Sequence, residues 1–465
     1  MKSISKKELR EVSIRIPGSK SISHRMLICA SLASGTSTLK NLLDSEDINH
    51  TMSALSRMGA VIKKEGGNRE KLSGKFKEKD FKYGEIIEVT GFNGKPCPLT
   101  GKENLPGPLY RRDISPPPYH GSENEIYLGN SGTSMRLLAG IAGLGSVPFT
   151  LTGDERMQER PMGDLLDALE MAGVHARSIK GDGTPPVLIK GGGAAGGSIS
   201  LDCSESSQYL SAMLMMGALL PRGLDITLSG KLVSAPYVDI TMNIMDKFGV
   251  QSRRINDALY HVDGGQSYLP GDHVVEPDIS NASYFWAAGA LGGKMITVMD
   301  IDAGSLQGDK RLLEILAMMG CDVVYAAPGI GVKGPGNGHS LRAVEVDMSD
   351  IPDVVPTLAV VASFARGTTK IVNIAHLREK ECDRISAVVS QLRKMGVQAD
   401  EGDDWLSVTG THNHRGAVIE TFNDHRIAMA FSVAASRLDG MVIENEKCVA
   451  KSFPGYWEKF ESLGR

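Results

Sequence analysis

Leu392-Arg393-Lys394-Met395-Gly396-Val397 reads as the last turn of a helix, a stop, and the first residue of a strand. Leu392 and Met395 are apolar and three apart, so they share one helix face. Gly396 follows, and glycine takes the left-handed conformation that closes a helix at no steric cost. Val397-Gln398-Ala399 then leads out as a strand. The same arrangement (a large apolar residue, three residues, glycine) pairs Leu55 with Gly59, Leu169 with Gly173, Met245 with Gly249, Leu316 with Gly320 and Phe460 with Gly464. Successive glycines lie 114, 76, 71, 76 and 68 residues apart. The last four spacings are alike, which predicts a chain of six similar αβ units, arranged as two lobes of three.

The first spacing is the longest, and the excess has a place. Seven of the 21 prolines, Pro96, Pro98, Pro106, Pro108 and Pro116 to Pro118, fall within 94–122. Such a segment neither continues a helix nor donates a regular ladder, so an irregular surface insertion is expected there. There is no long flexible linker, so the lobes are expected to join by short crossings.

Composition narrows the class. With 465 residues the chain exceeds one ordinary core, and 41% hydrophobic with 23% charged residues suits a packed protein. The 53 glycines and only 5% aromatics fit many tight turns with aliphatic packing. A net charge of −4 argues against nucleic-acid or membrane-surface partners, which favour a basic excess. No apolar run approaches the roughly 20 residues of a membrane span. The N-terminal stretch has no apolar signal core, so a cytoplasmic location is expected. Cys29, Cys97, Cys203, Cys321, Cys382 and Cys448 are scattered without a Cys-x-x-Cys and read as reduced thiols. His412 and His414 are the one hint of a metal pair, without a third partner, so no metal and no cofactor is expected.

Charged residues gather where strands meet helices. Pro17-Gly18-Ser19-Lys20-Ser21 opens the apolar stretch 26–32, with Arg25 on the way in. Backbone N–H groups at such a start, with Lys20, Ser21 and Arg25, form an anion cradle. The P-loop spacing is absent. Leu128-Gly129-Asn130-Ser131-Gly132-Thr133 leads into another helix with Arg136 on its first turn. An arginine there opposes the helix dipole unless an anion lies between them. Asp154, Glu155, Arg156, Glu159 and Arg160 precede a helix expected to open at Pro161. Ser206, Ser207, Gln208 and Tyr209 open a further helix, with Ser206 or Ser207 also suited to a plain N-cap. In the C-terminal half, Asp353, the run Arg378 to Arg384, Asn423-Asp424-His425-Arg426 and Lys451 stand at similar junctions. Repeated junctions of this kind in a chain of negative net charge predict a locally positive cleft for polyanionic, metal-free substrates.

Taken together and in this order, these junctions resemble the enolpyruvyl transferase superfamily, and within it the 5-enolpyruvylshikimate-3-phosphate synthase family. The resemblance runs from Ile16 to about Tyr456. It rests on Pro17 to Ser21, the run 128–133, Leu151-Thr152-Gly153-Asp154, Glu159-Arg160-Pro161, Lys380-Glu381-Cys382-Asp383-Arg384 and Asn423 to Arg426. It implies a two-lobed inside-out α/β barrel of six βαβαββ units, three per lobe. One lobe would be 20–274 and the other 1–19 with 275–465, with the active site between them. It implies transfer of the enolpyruvyl group of phosphoenolpyruvate to the 5-hydroxyl of shikimate 3-phosphate, by a monomer, on the route to aromatic amino acids.

The resemblance also implies roles. Shikimate 3-phosphate would be held by Ser21 and Arg25 at its carboxylate, and by Ser206, Ser207, Ser234 and Lys380 at its phosphate, with Gln208, Tyr237, Lys20 and Asp353 beside it. Phosphoenolpyruvate would meet Lys20, Gly132, Arg160, Gln208, Arg384, Arg426 and Lys451. Asn130, Thr133, Arg136 and His425 would line or support the site. Glu381 would handle the proton at C3 of phosphoenolpyruvate, Asp353 would partner the 5-hydroxyl, and Lys20 would stabilise the phosphate. Glyphosate would compete with phosphoenolpyruvate, although Leu137 stands where many glyphosate-sensitive members have proline. His376 stands where some members have a substrate-contacting asparagine and is left unassigned. The rival in the same superfamily, UDP-N-acetylglucosamine enolpyruvyl transferase, has Lys-Asn where this chain has Lys20-Ser21, and a cysteine in the loop 154–160 that is missing here. A non-catalytic phosphometabolite-binding paralogue would have lost acid and base groups, whereas Lys20, Asp353, Glu381 and Lys451 are all present. An RNA-end-processing enzyme would want a basic surface and a nucleotide site, and neither is seen.

Overall fold

The structure, a computed structural model, describes residues 1–6, 8–64, 85–97, 124–335 and 340–464. Most of the proline-rich segment expected at 94–122 lies outside them. The chain divides into two compact units, Lys20–Val275 and Met1–Ser19 with Glu276–Arg465. The expected cut falls after 274. Val275 stays with the first unit because its N–H donates to the Lys40 carbonyl at 2.9 Å and its carbonyl accepts from Asn41 at 2.8 Å.

The unit Lys20–Val275 contains helices α1 (Lys20–Leu32), α2 (Glu46–Arg57), α3 (Gly132–Ala142), α4 (Gly163–Met171), α5 (Gln208–Gly217) and α6 (Pro236–Lys247). Its sheets share one order. Gly197–Leu201 runs parallel to Leu224–Leu228, which pairs antiparallel with Leu259–Val262, itself antiparallel to Ser252–Asn256. Along the chain this reads strand, α5, strand, α6, strand, strand. Glu125–Tyr127, Pro148–Thr152, His175–Ser178 and Val187–Lys190 repeat it around α3 and α4. In the third sheet the parallel partner of Thr36–Leu42 is Asp272–Val274, from the far end of the unit.

Helices lie inside and sheets outside, and the sequences explain why. In α3 and α5 every side chain except the first of α5 is buried, and neither helix carries an acid in its first turn. Helices apolar on all sides must be enclosed. Strands such as Leu224–Leu228 alternate buried and exposed, one face on the helices and one in solvent. The remaining helix type shows the usual stripe, with Asp167 and Glu170 of α4 exposed and Leu165, Leu166, Ala168 and Leu169 buried.

The second unit contains α7 (Ile279–Gly292), α8 (Arg311–Met318), α9 (Val355–Ala362), α10 (Arg384–Lys394), α11 (His425–Ser432) and α12 (Tyr456–Glu461). Glu345–Asp347, Thr368–Val372, Gln398–Glu401 and Trp405–Thr409 repeat the same sheet order around α9 and α10. Val12–Ile14 supplies the parallel strand beside Ile296–Met299, and Lys2–Ile4 closes a three-stranded sheet against Met441–Ile443. At the centre, α7 buries Tyr284, Phe285 and Trp286, and the indole of Trp286 donates to the Ile330 carbonyl at 2.9 Å. Each unit has its own continuous apolar core. No helix among the described residues is long and apolar enough to cross a membrane.

Five of the six glycine endings have positive φ: Gly59 (111°), Gly173 (93°), Gly249 (78°), Gly320 (100°) and Gly396 (80°). Each is followed by the same bond from the next N–H back to the apolar residue, as from Val397 to Leu392 at 3.1 Å and Cys321 to Leu316 at 3.0 Å. This is the doubly bonded glycine cap that satisfies the last helical carbonyls. Gly464 departs from the expectation. The chain there does not reverse into a strand, and Gly464 instead bridges to Leu9.

Candidate active site

Two polar clusters sit at helix starts, one in each unit. In Lys20–Val275 the first residue of α1 is Lys20, whose ammonium lies 3.2 Å from Asp47 on the first turn of α2. A chain of hydroxyls fixes this corner. Thr51 meets His24 Nδ1 at 2.8 Å and Ser134 at 2.7 Å, and Ser134 meets Ser131 at 2.6 Å. Thus α1, α2 and α3 are stitched together next to Lys20.

Arg25 lies one turn into α1 and is 1% exposed. Its guanidinium donates to Thr241 (2.7 Å), the Ser21 carbonyl (3.0 Å) and Ser211 (3.3 Å), and lies 5.9 Å from the centre of the Tyr237 ring. No carboxylate among the described residues pairs with it. Burial alone pulls its pKa down to about 10, against the weaker pull of Tyr237 and Cys29. Arg136, 2% exposed, resembles it: it donates to Gln208 (3.1 Å) and the Pro161 carbonyl (3.4 Å), and its Nε has no hydrogen-bond partner among the described residues. Gln208 in turn donates to Thr133 at 3.0 Å. Buried cations satisfied only by neutral groups have given up hydration without gaining a counter-ion.

Arg160 donates to the Asn130 side chain at 3.1 Å and packs flat against Gly132. A Cβ on Gly132 would lie 2.6 Å from its Nη2, so the glycine makes room for the guanidinium. Ser206 and Ser207 are buried at the entry to α5, and Ser206 accepts from the Gln208 N–H at 3.3 Å. Ser234 is buried with φ of 54°, in the turn before α6. The helix expected to open at Pro161 begins at Gly163, and Pro161 instead supplies the carbonyl that Arg136 and the Tyr209 hydroxyl share.

The second unit concentrates charge differently. Arg384, the first residue of α10 and 1% exposed, reaches three carboxylates: Asp424 at 2.7 Å, Glu381 at 2.8 Å and Asp353 at 3.0 Å. Asp353 also binds Arg426 at 2.6 Å, and Glu381 binds Lys451 at 3.3 Å. Asp424 caps α11 by accepting the Arg426 N–H at 2.8 Å. Three cations and three carboxylates thus form one network. Against the cost of burial, Asp424, Glu381 and Asp353 raise the Arg384 pKa and hold it charged. Lys380 is half-buried just before Glu381, and His376 is buried in the turn before it.

The structure therefore brings Asp353, Glu381, Arg384, Arg426 and Lys451 into direct contact. It groups Ser21 with Arg25 and Tyr237, Gln208 with Arg136 and Thr133, and Gly132 with Arg160. Lys20 pairs with Asp47, a residue that reads in the sequence as an ordinary acid at a helix start. Tyr284, which accepts from Arg426 at 3.4 Å, was hidden in the apolar run of α7. Asp309 was hidden too, although Gln307-Gly308-Asp309 before α8 repeats the signal of an acid at a helix entry.

The fold is that of the enolpyruvyl transferases. The chain matches the enolpyruvyl transferase NikO from Streptomyces tendae with a TM-score of 0.68 at 18% identity, over 99% of this chain and 96% of that one. An EPSP synthase structure from Acinetobacter baumannii matches with a TM-score of 0.75 at 27% identity, over 99% and 97%. Two relatives called 3-phosphoshikimate 1-carboxyvinyltransferase, from Shewanella amazonensis and Shewanella halifaxensis, are each 40% identical over 97% of this chain and 96% of their own length. The profile of EPSP synthase (3-phosphoshikimate 1-carboxyvinyltransferase) matches residues 6–91 and 113–460, and the chain belongs to that family.

Proposed function

We propose that both clusters serve one reaction, the family's transfer of the enolpyruvyl group of phosphoenolpyruvate to the 5-hydroxyl of shikimate 3-phosphate. The contrast between the clusters supports this best. Arg25 and Arg136 are buried without a carboxylate, which suits holding anions, whereas Asp353 and Glu381 are ion-paired among cations, which suits moving protons. Arg25 and Ser21 take the carboxylate of shikimate 3-phosphate. Ser206, Ser207, Ser234 and Lys380 take its phosphate, with Gln208 and Tyr237 alongside. Lys20, Gly132, Arg160, Gln208, Arg384, Arg426 and Lys451 receive phosphoenolpyruvate.

In the addition step Glu381 gives a proton to C3 of phosphoenolpyruvate, and positive charge develops at C2. The 5-oxygen attacks C2 while Asp353 accepts the hydroxyl proton. In the elimination step C3 returns its proton, the C2–O bond to phosphate breaks, and phosphate leaves beside Lys20. Arginine forks suit the carboxylates because they bind two oxygens at once. No cofactor enters. The reading includes a monomer working in the cytoplasm on two soluble anions.

Phosphate release with phosphoenolpyruvate plus either acceptor is the test. The expected result is rapid release with shikimate 3-phosphate and none with UDP-N-acetylglucosamine. The reverse preference would overturn the reading. Glyphosate, a small phosphonate carboxylate, is expected to compete with phosphoenolpyruvate, and rates untouched by millimolar glyphosate would remove that part of it.

A further inference from the structure

One buried acid of the second unit has no part in the reaction above. Asp309 lies in the short turn before α8 and is 3% exposed. The Ser280 hydroxyl donates to its Oδ2, while its Oδ1 has no hydrogen-bond partner among the described residues. The turn is pinned to the start of α7: Gln307 accepts the Ile279 N–H at 3.1 Å and donates to the Pro277 carbonyl at 2.9 Å. Ser280 and Tyr284 lie four residues apart, so they share one face of α7. The Tyr284 hydroxyl accepts from one amino group of Arg426 at 3.4 Å, and the other amino group of Arg426 holds Asp353 at 2.6 Å. A short path of side chains thus joins Asp309 to Asp353.

The charges acting on Asp309 are Asp353 at the entry to α9, Arg426 from α11 and Asp278, the cap of α7. Lys310, in its own turn, donates instead to the Ala303 carbonyl at 3.2 Å. Burial first, and then the negative charge of Asp353, push the Asp309 carboxyl up to about 7, against the smaller opposing pulls of Arg426 and the Ser280 hydroxyl.

We propose that Asp309 is a positioning residue for Asp353: as an uncharged carboxyl it leaves Arg426 to Asp353 alone and keeps Asp353 ionised as the proton acceptor. This rests on the reading of Asp353 given above. Once Asp309 ionises, two carboxylates compete for Arg426 and the second negative charge raises the proton affinity of Asp353. The alkaline limb of the kcat profile then carries the ionisation of Asp309. KM for shikimate 3-phosphate, set mainly by residues of the other unit, does not.

The test is kcat against pH for the wild-type enzyme, Asp309→Asn, Ser280→Ala and Asp353→Asn, with KM followed in parallel. Asp309→Asn is expected to lose the alkaline ionisation or shift it by about one unit or more. Ser280→Ala removes a bond that favours the charged carboxylate, so the same ionisation is expected to move to higher pH. That second variant stands if Asp309→Asn does not fold. Wild-type limbs in both variants, or a uniform fall in kcat at every pH, would overturn the proposal. If Asp353→Asn keeps full turnover, the reading of Asp353 falls and the proposal with it. If Asp353→Asn is inactive while both profiles stay unchanged, the proposal alone falls.

Discussion

Arg25 is a guanidinium sealed among hydroxyls, and its energetics predict how it responds to mutation. Thr241 and Ser211 bond to each other at 2.8 Å, so they keep a partner when Arg25 is removed. Arg25→Met is therefore expected to leave the melting temperature of the free enzyme level or higher, since an uncompensated buried charge disappears. The rise in melting temperature on adding shikimate 3-phosphate is expected to vanish. A lower free melting temperature with the ligand shift intact would refute this. Gly132→Ala places a methyl 2.6 Å from Arg160 and displaces its guanidinium. Steady-state kinetics should show KM for phosphoenolpyruvate raised about tenfold or more, the usual cost of one misplaced methyl group in a tight site. An unchanged KM would show that the Arg160 position is immaterial. Asp309 adds a pH dependence of stability. Its carboxyl is raised from an ordinary 3.8 to about 7, so the folded protein keeps a proton that the unfolded chain releases. Its stabilisation is complete below the lower value and is lost as pH rises through the upper one. Melting curves of Asp309→Asn should lack that decline. Sequence reading could name Lys20, Glu381 and Arg426 but not Asp47, Tyr284 or Asp309 as their partners. An acid at a helix start and a tyrosine in an apolar run look alike whether or not a cation faces them.

The helix endings were the most legible elements, because a glycine cap is a local device written in consecutive residues. They also give a clean pair of tests. Gly320 has φ of 100°, and a Cβ there would meet nothing nearer than Arg342 Nε at 3.9 Å. Gly320→Ala therefore carries backbone strain alone and is expected to cost about 1 kcal/mol in denaturant unfolding, with kcat unchanged. Gly163 opens α4 without positive φ, and a methyl group added there would have nothing within 4 Å. Gly163→Ala is expected to gain up to about 1 kcal/mol by restricting the unfolded chain. Equal effects of the two substitutions would contradict this account of the caps. Gly464 was misread because the signal says where a helix stops, not whether a strand follows.

At the scale of the whole molecule, the pairings that were not legible join segments far apart in the chain. Val12–Ile14 beside Ile296–Met299, Lys2–Ile4 beside Met441–Ile443, and Thr36–Leu42 beside Asp272–Val274 carry no local trace of their partners. The enclosed helices α3, α5, α7 and α9 could be foreseen as buried from their lack of a polar stripe, but not which sheets enclose them. The central claim is that residues of both units act in one turnover. Phosphorus NMR of shikimate 3-phosphate and phosphoenolpyruvate with wild-type enzyme, Lys20→Met and Glu381→Gln tests it most directly. In the wild type, phosphoenolpyruvate should be lost one for one with inorganic phosphate gained, while the ring 3-phosphate signal persists. Both variants should slow this by about 100-fold or more, the usual contribution of an acid–base or electrostatic group. Near-normal conversion by either variant would contradict the account.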